Sequence, residues 1–222
     1  MNAIPVISGV AVLCIAWLGP WRELAGTAFV PHMAMHVSVV AVAAPLLAAG
    51  LVGSRLYAIR MPNIPLAPVP ASLVEFVVVW GWHFPALHHL ARASTGAFVA
   101  EQASFLAAGL LLWCSALRRP KRSDDLRGAG VLALLLTSMH MILLGTLLAL
   151  APRPLYHDES PSAAAALLAD QQLGGMLMLA GGGVPYLLGA LWLVWGLLQS
   201  PHSRESGPKS GRSGAAPPAK LR

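Results

Sequence analysis

Histidine and methionine recur together along this chain. His32 and His36 bracket Met33 and Met35, and His140 stands between Met139 and Met141. His83 precedes Phe84-Pro85, where the proline is expected to kink a helix and free backbone groups. Imidazole and thioether are ligands that suit copper, and thioether sulfur favours the soft Cu(I) form. Zinc would recruit Cys or carboxylate more strongly. Mg²⁺ or Ca²⁺ would want a cage of oxygens, which the sequence does not display. His32 and His36 are spaced i,i+4, so they share one helix face and can chelate one ion. Residues at i,i+2 point to nearly opposite faces. Met33 with His36, at i,i+3, is therefore the better placed sulfur–imidazole pair. The candidate metal ligands are His32, His36, His83 and His140, together with Met33 and Met35. Plainer roles stay open for each: interfacial hydrogen bonding or capping for the first three histidines, a bond to a helix carbonyl for His140, and packing for the methionines.

The elements that must position these residues are membrane helices. Of the 222 residues, 56% are hydrophobic and only 11% charged, against about 25% charged in an average soluble domain. A helix needs roughly 20 apolar residues to cross the ~30 Å hydrocarbon core. Residues 30–52, 71–90, 97–117, 129–151 and 173–199 meet that requirement, and 4–19 form a shorter sixth run. No Lys or Arg precedes the first run and no small-x-small site follows it, which argues against a signal peptide. The expected fold is all-α: a polytopic transmembrane helical bundle of about six spans over residues 1–199. A disordered basic tail, rich in Ser, Gly and Pro, is expected over 200–222.

The loops orient the bundle. Arg55 and Arg60 lie between the second and third runs, and Arg118, Arg119, Lys121, Arg122 and Arg127 between the fourth and fifth. The tail adds further Lys and Arg, whereas the last loop sets Arg153 against Asp158, Glu159 and Asp170. The positive-inside rule then places both termini in the cytoplasm. The net charge of +6 belongs to loops and tail, so no nucleic-acid partner is implied. On this topology His32, His36, His83, His88 and His89 gather at the outer end with Glu101, Tyr156, His157 and Asp170, and His140 lies deeper. Ionisable groups at membrane depth usually face a bundle interior or a cavity, so one polar pocket opening to the outer face is expected. Arg153 has Asp170 and Glu101 as possible partners there, or is solvated. Cys14 and Cys114 read as small apolar core residues too far apart for a disulfide. Gly174-Gly175 and Gly181-Gly182-Gly183 allow close helix approach, and the latter admit a helix break. No nucleophile–base pair, phosphate loop or metalloprotease helix is present, so no enzyme is expected.

Several blocks occur in a specific order. They are His32-Met33-Ala34-Met35-His36 with Ala44-Pro45-Leu46-Leu47, Trp82-His83-Phe84-Pro85-Ala86-Leu87, Glu101-Gln102-Ala103-Ser104-Phe105, Ser138-Met139-His140-Met141, and Ala151-Pro152-Arg153-Pro154-Leu155-Tyr156 with Asp170-Gln171-Gln172-Leu173-Gly174-Gly175. In these the chain resembles the CtaG family of multi-span cytochrome c oxidase assembly proteins, in the branch associated with caa-type oxidases. It does not look like the single-span copper carrier that shares the name. The resemblance covers Pro31 to about Trp195. It departs from the family at Met35, where many relatives carry Gln, and at Gln102, where they carry a further His. The resemblance implies a bacterial plasma (inner) membrane protein that helps to mature a haem-copper cytochrome c oxidase, with copper insertion into the catalytic subunit as the expected step. It implies that subunit as partner, beside the lipid bilayer, and admits a periplasmic copper chaperone. Two other classes stay open: a membrane metal transporter, and a haem-binding electron-transfer protein with bis-His ligation among His36, His83 and His140.

Overall fold

A computed structural model describes residues 3–25, 27–52, 67–118, 124–156 and 161–199. Among these residues there are eight helices and no strand. They are α1 (Ala3–Leu18), α2 (Trp21–Ala25), α3 (Phe29–Val52), α4 (Pro68–Trp82), α5 (Pro85–Ala93), α6 (Thr95–Leu117), α7 (Asp124–Ala149) and α8. Helix α8 runs as Pro161–Leu177, a π-helical turn Met178–Gly183, and Val184–Leu198. The tail at 200–222, the loop residues Arg55, Arg60, Arg119, Lys121 and Arg122, and His157, Asp158, Glu159 and His202 lie outside the described residues.

Among the described residues, four helices are long and apolar enough to cross a membrane: α3, α6, α7 over Arg127–Ala149, and α8 over Ala164–Leu198. At ~1.5 Å per residue, their 23 residues or more cover the ~30 Å hydrocarbon core. Helices α1 and α4 are apolar too, but shorter, with 16 and 15 residues. The chain is a multi-span membrane protein. Its packing agrees: Ile4, Leu18, Val77, Trp195 and Leu198 face outward, whereas Val39, Val40, Ala43, Ala44, Ala48 and Ala133 fill the interior. Small residues inside let helices approach closely when lipid, not water, covers the outside.

Helix α3 is the most enclosed of the four and packs against α1, α2, α6 and α8, while α4 packs on α6 and α7, and α7 on α8. A Cβ added at Gly175 would lie 2.5 Å from the Ala149 nitrogen, and one at Gly145 would lie 2.7 Å from the Leu179 nitrogen. The α7–α8 crossing therefore needs glycine at both positions.

Proline shapes helices α3 and α8 in the same way. Pro45 follows the π-helical segment Ser38–Ala43 of α3 by two residues, and Pro185 follows Met178–Gly183 of α8 by two. A proline inside a helix cannot bond to the carbonyl four residues earlier and its ring crowds that carbonyl. Widening the preceding turn to π geometry relieves the clash without ending the helix. The triple glycine of α8 is thus a wide turn in a continuous helix rather than a break.

Two expected boundaries move. The run 71–90 is not one helix. Helix α4 ends at Trp82, and Phe84, with φ −69° and ψ 131°, is the extended residue before Pro85 that starts α5. Extended geometry is what a residue preceding proline adopts. Helix α8 starts well before residue 173, so Asp170, Gln171 and Gln172 are helical rather than in a loop. Both cysteines are free. Cys114 is buried as expected, but Cys14 is exposed on the bundle's outer face instead of in the core.

Candidate functional site

One end of the bundle collects the start of α3, the end of α4, all of α5, the start of α6 and the segment after α7. Helix α3 has no local side-chain cap. Its first amides are taken instead by Asp170 of α8, whose Oδ2 accepts from the Phe29 N–H and whose Oδ1 accepts from the Val30 N–H at 3.2 Å. A carboxylate there satisfies orphan donors and meets the positive end of the helix dipole. This capping sets where His32 and His36 stand.

The four histidines His32, His36, His83 and His88 are each at most 5% exposed. Ring centroids are 4.9 Å apart for His32 and His88, 6.0 Å for His32 and His83, and 5.2 Å for His36 and His83. Phe105 of α6 lies 4.2 Å from the His36 ring and closes the inner side. His83 caps α4 and its Nδ1 lies 2.6 Å from the Val79 carbonyl oxygen. That oxygen can only accept, so Nδ1 carries the proton and Nε2 keeps the lone pair. Metal-binding histidines commonly carry this second bond to a backbone carbonyl. Helix α5 turns His88 inward and His89 outward, as its four-residue spacing from Arg92 and strong amphipathicity require.

Tyr156 closes the outer side. Its hydroxyl donates to the His83 carbonyl at 2.9 Å, and its ring stacks on Phe29 at 4.8 Å and lies tilted against His88 at 4.4 Å. Burial pushes the phenol above its ordinary range, so it is a neutral donor. The segment before Tyr156 is held to α8: the Leu155 N–H donates to the Gln171 side chain at 2.7 Å, and Gln172 donates to the Ala151 carbonyl at 3.4 Å.

Beside the histidines lies a half-buried charge pair. Arg92 donates to Glu101 at 2.6 Å and to the Ala25 carbonyl at 3.2 Å. Gln102 donates to Glu101 at 3.2 Å and accepts from the Trp17 indole at 3.1 Å, which ties α6 to α1. Glu101 and Asp170 are thus engaged with Arg92 and the α3 amides. Arg153, for which the sequence left open a pairing with one of them or a solvated position, is exposed.

His140 is brought less close. It is buried on α7, edge-on to Phe76 at 5.3 Å, within electrostatic range of His36. Its neighbour Met139 faces outward. The remaining candidates are buried but turned elsewhere. The Met33 side chain packs at Gly174 of α8, 3.1 Å from where a Cβ there would stand. Met35 lines a cavity of about 270 Å³ between α1 and α3, with Val12, Ile15, Trp21 and Ser38.

The donor set suits a soft cation. Both ring nitrogens of His32, His36 and His140, and Nε2 of His83, are buried without a hydrogen-bond partner among the described residues. Each such group carries a desolvation cost of about 1–3 kcal/mol unless something binds it. Imidazole lone pairs serve Cu(I) well. Among the described residues, however, no three His, Cys, Asp or Glu side chains already converge on one ion position. The rings pack edge on face, with interplanar angles of 87° and 70° for two of the pairs, so convergence needs ring rotation.

Sequence reasoning left three participants out of the ligand set or unmentioned. His88 follows His83 by five residues, a spacing that a continuous helix would place on another face. Glu75 is a lone carboxyl in an apolar run, a signal that was available. Tyr186, its partner from α8, is an ordinary membrane-helix tyrosine until the two helices are packed. A family model described as cytochrome c oxidase caa3 assembly factor (Caa3_CtaG) matches residues 4–200. No curated protein and no solved structure matches the chain.

Proposed function

Because the chain belongs to the CtaG family of cytochrome c oxidase caa3 assembly factors, we propose that it presents Cu(I) to the oxidase catalytic subunit from the histidine cluster at one end of its bundle. The observation that carries this reading is the set of buried, unpartnered imidazole nitrogens on His32, His36, His83 and His140. Copper here is cargo rather than a resident cofactor. Soft two- or three-coordinate Cu(I) accepts imidazole donors, and the burial of the cluster keeps water away while Tyr156 covers it. His32, His36 and His83 are the primary ligands in this reading. His140 lies deeper as a further donor, and Met33 and Met35 supply sulfur only if their side chains swing from α8 and α1. The role is transfer without covalent catalysis.

The topology that serves this role has six crossings. Helices α1 and α4 span with the help of local bilayer thinning and flanking residues, and α4 is continued by α5 at the interface. Both termini then lie in the cytoplasm and the cluster faces outward, where a periplasmic copper chaperone can reach it.

The test is made in a strain that depends on this chain for its oxidase. His32, His36, His83 and His140 are replaced by alanine, singly and together, and the purified oxidase is assayed for copper-to-haem ratio and oxygen consumption. The reading predicts haem-replete oxidase with copper falling to the level of a deletion strain in the quadruple variant. Full copper content with all four replaced would overturn it.

A further inference from the structure

Glu75 lies in α4 two turns before His83, about 12 Å along the axis at 1.5 Å per residue, and it is fully buried. The Tyr186 hydroxyl stands within hydrogen-bond distance of two oxygens, Glu75 Oε1 and the Val40 carbonyl. The phenol has one proton and the carbonyl can only accept. Both contacts are satisfied together only when Glu75 carries a proton and donates it to the phenol oxygen, while the phenol donates to Val40. The other carboxyl oxygen, Oε2, is buried with no hydrogen-bond partner among the described residues. An ionised Glu75 would leave that oxygen charged and bare in the bundle.

Among the described residues, the surroundings supply no standing counter-charge. Tyr186 comes from α8, and α7 brings Thr137 and His140 toward α4. Helix α6 carries Glu101 and Cys114, and α3 brings His36, one turn before Val40. The cation of α5, Arg92, is engaged by Glu101. A positive charge arriving at the histidine cluster would stand close to Glu75 without its own carboxylate. Helix α3 connects the two places: His36 lies two residues before its π-helical segment, and the Val40 carbonyl within that segment meets Tyr186 one turn further in.

We propose that Glu75 is a proton-exchange site, carrying a proton while the histidine cluster is uncharged and releasing it when the cluster takes Cu(I). This deepens the copper reading and rests on it. The carboxylic O–H bond breaks, its electron pair stays on the carboxylate, and the proton leaves to the aqueous face. Imidazole lone pairs coordinate Cu(I), whose oxidation state does not change. One positive charge enters the low-dielectric interior and one leaves, so the net charge of the bundle does not change and the carboxylate left at Glu75 attracts the bound ion.

The experiment uses the full chain purified anaerobically in lipid nanodiscs and titrated with Cu(I). Infrared difference spectra follow the C=O stretch of a protonated carboxylic acid, and a pH indicator in weak buffer counts released protons. In the wild type the carboxylic acid band should disappear as Cu(I) binds, with about one proton released per ion. Linkage then makes the apparent Cu(I) affinity rise about tenfold per pH unit across the exchange. Glu75→Gln should lack the band, lose that proton and flatten the pH dependence, while still binding Cu(I). Tyr186→Phe should shift the band without abolishing it, which guards against a folding failure in the first variant. Cu(I) binding with an unchanged carboxylic acid band in the wild type would overturn the exchange and leave the copper reading standing. Absence of Cu(I) binding in the wild type would overturn both.

Discussion

Replacing Asp170 tests how the bundle positions its histidines. The side chain belongs to α8, yet it caps α3, accepting the Phe29 and Val30 amides across 141 and 140 residues of sequence. Bonds to a charged group contribute about 1.5–3 kcal/mol each when well buried. Asp170 is half-buried, so the lower end applies, and Asp170→Ala should cost about 3 kcal/mol. Asp170→Asn keeps one acceptor but turns its amide nitrogen toward the other N–H, and should cost about half as much. In a chain of this size roughly 2–4 °C of melting temperature accompanies each kcal/mol. Alanine should therefore lower the melting temperature in detergent micelles by about 6–12 °C, and asparagine by about half of that. Differential scanning fluorimetry on the tryptophans reads both. An Asp170→Ala protein melting within 1–2 °C of wild type would refute the idea that this carboxylate holds α3, and with it the account of how His32 and His36 are placed.

Three further outcomes follow from the same packing. Gly174→Ala would put a Cβ 2.4 Å from the Phe29 ring, which is itself stacked on Tyr156; overpacking of this kind costs about 1–3 kcal/mol, measurable by denaturant unfolding, and a neutral variant would contradict the tight α3–α8 contact. Arg92→Ala should cost about 3 kcal/mol because it strands the fully buried Glu101, and adding Glu101→Gln should recover more than half; a double variant no more stable than the single one would argue that Arg92 acts by packing alone. Tyr156→Phe removes only the bond to the His83 carbonyl and should cost about 1 kcal/mol, with faster hydrogen exchange at the α4–α5 junction as its local signature.

Much of this architecture was readable from amino-acid types. Apolar runs and scarce charge mark membrane helices, and alternating basic and acidic connections bring the histidines of three different helices to one end. The structure does gather His32, His36 and His83 there, and the family match bears out the resemblance carried by the ordered motifs. What could not be read depends on packing between helices. The break at Phe84 follows from Pro85 alone, but the inward turn of His88 follows from how α5 docks on α6. Pro45 and Pro185 were visible, whereas their relief as π turns, which frees the Val40 carbonyl for Tyr186, needs both helices in place. The directions of Met33 and Met35 were half legible: i,i+2 spacing separates them, but only the neighbours α8 and α1 decide where each goes. The capping role of Asp170 was not legible because its partners are backbone amides from a distant helix, and backbone donors leave no residue-specific signal.

The proposed function requires the buried imidazoles to hold copper. The measurement that tests it most directly is the bound-metal content and Cu(I) affinity of the full chain purified anaerobically, beside a variant with His32, His36, His83 and His140 all replaced by alanine. About one Cu(I) per chain is expected in the wild type, retained through desalting, with loss of at least tenfold in affinity in the variant. Wild-type protein that takes up no Cu(I), or a folded variant that binds it equally well, would contradict the claim.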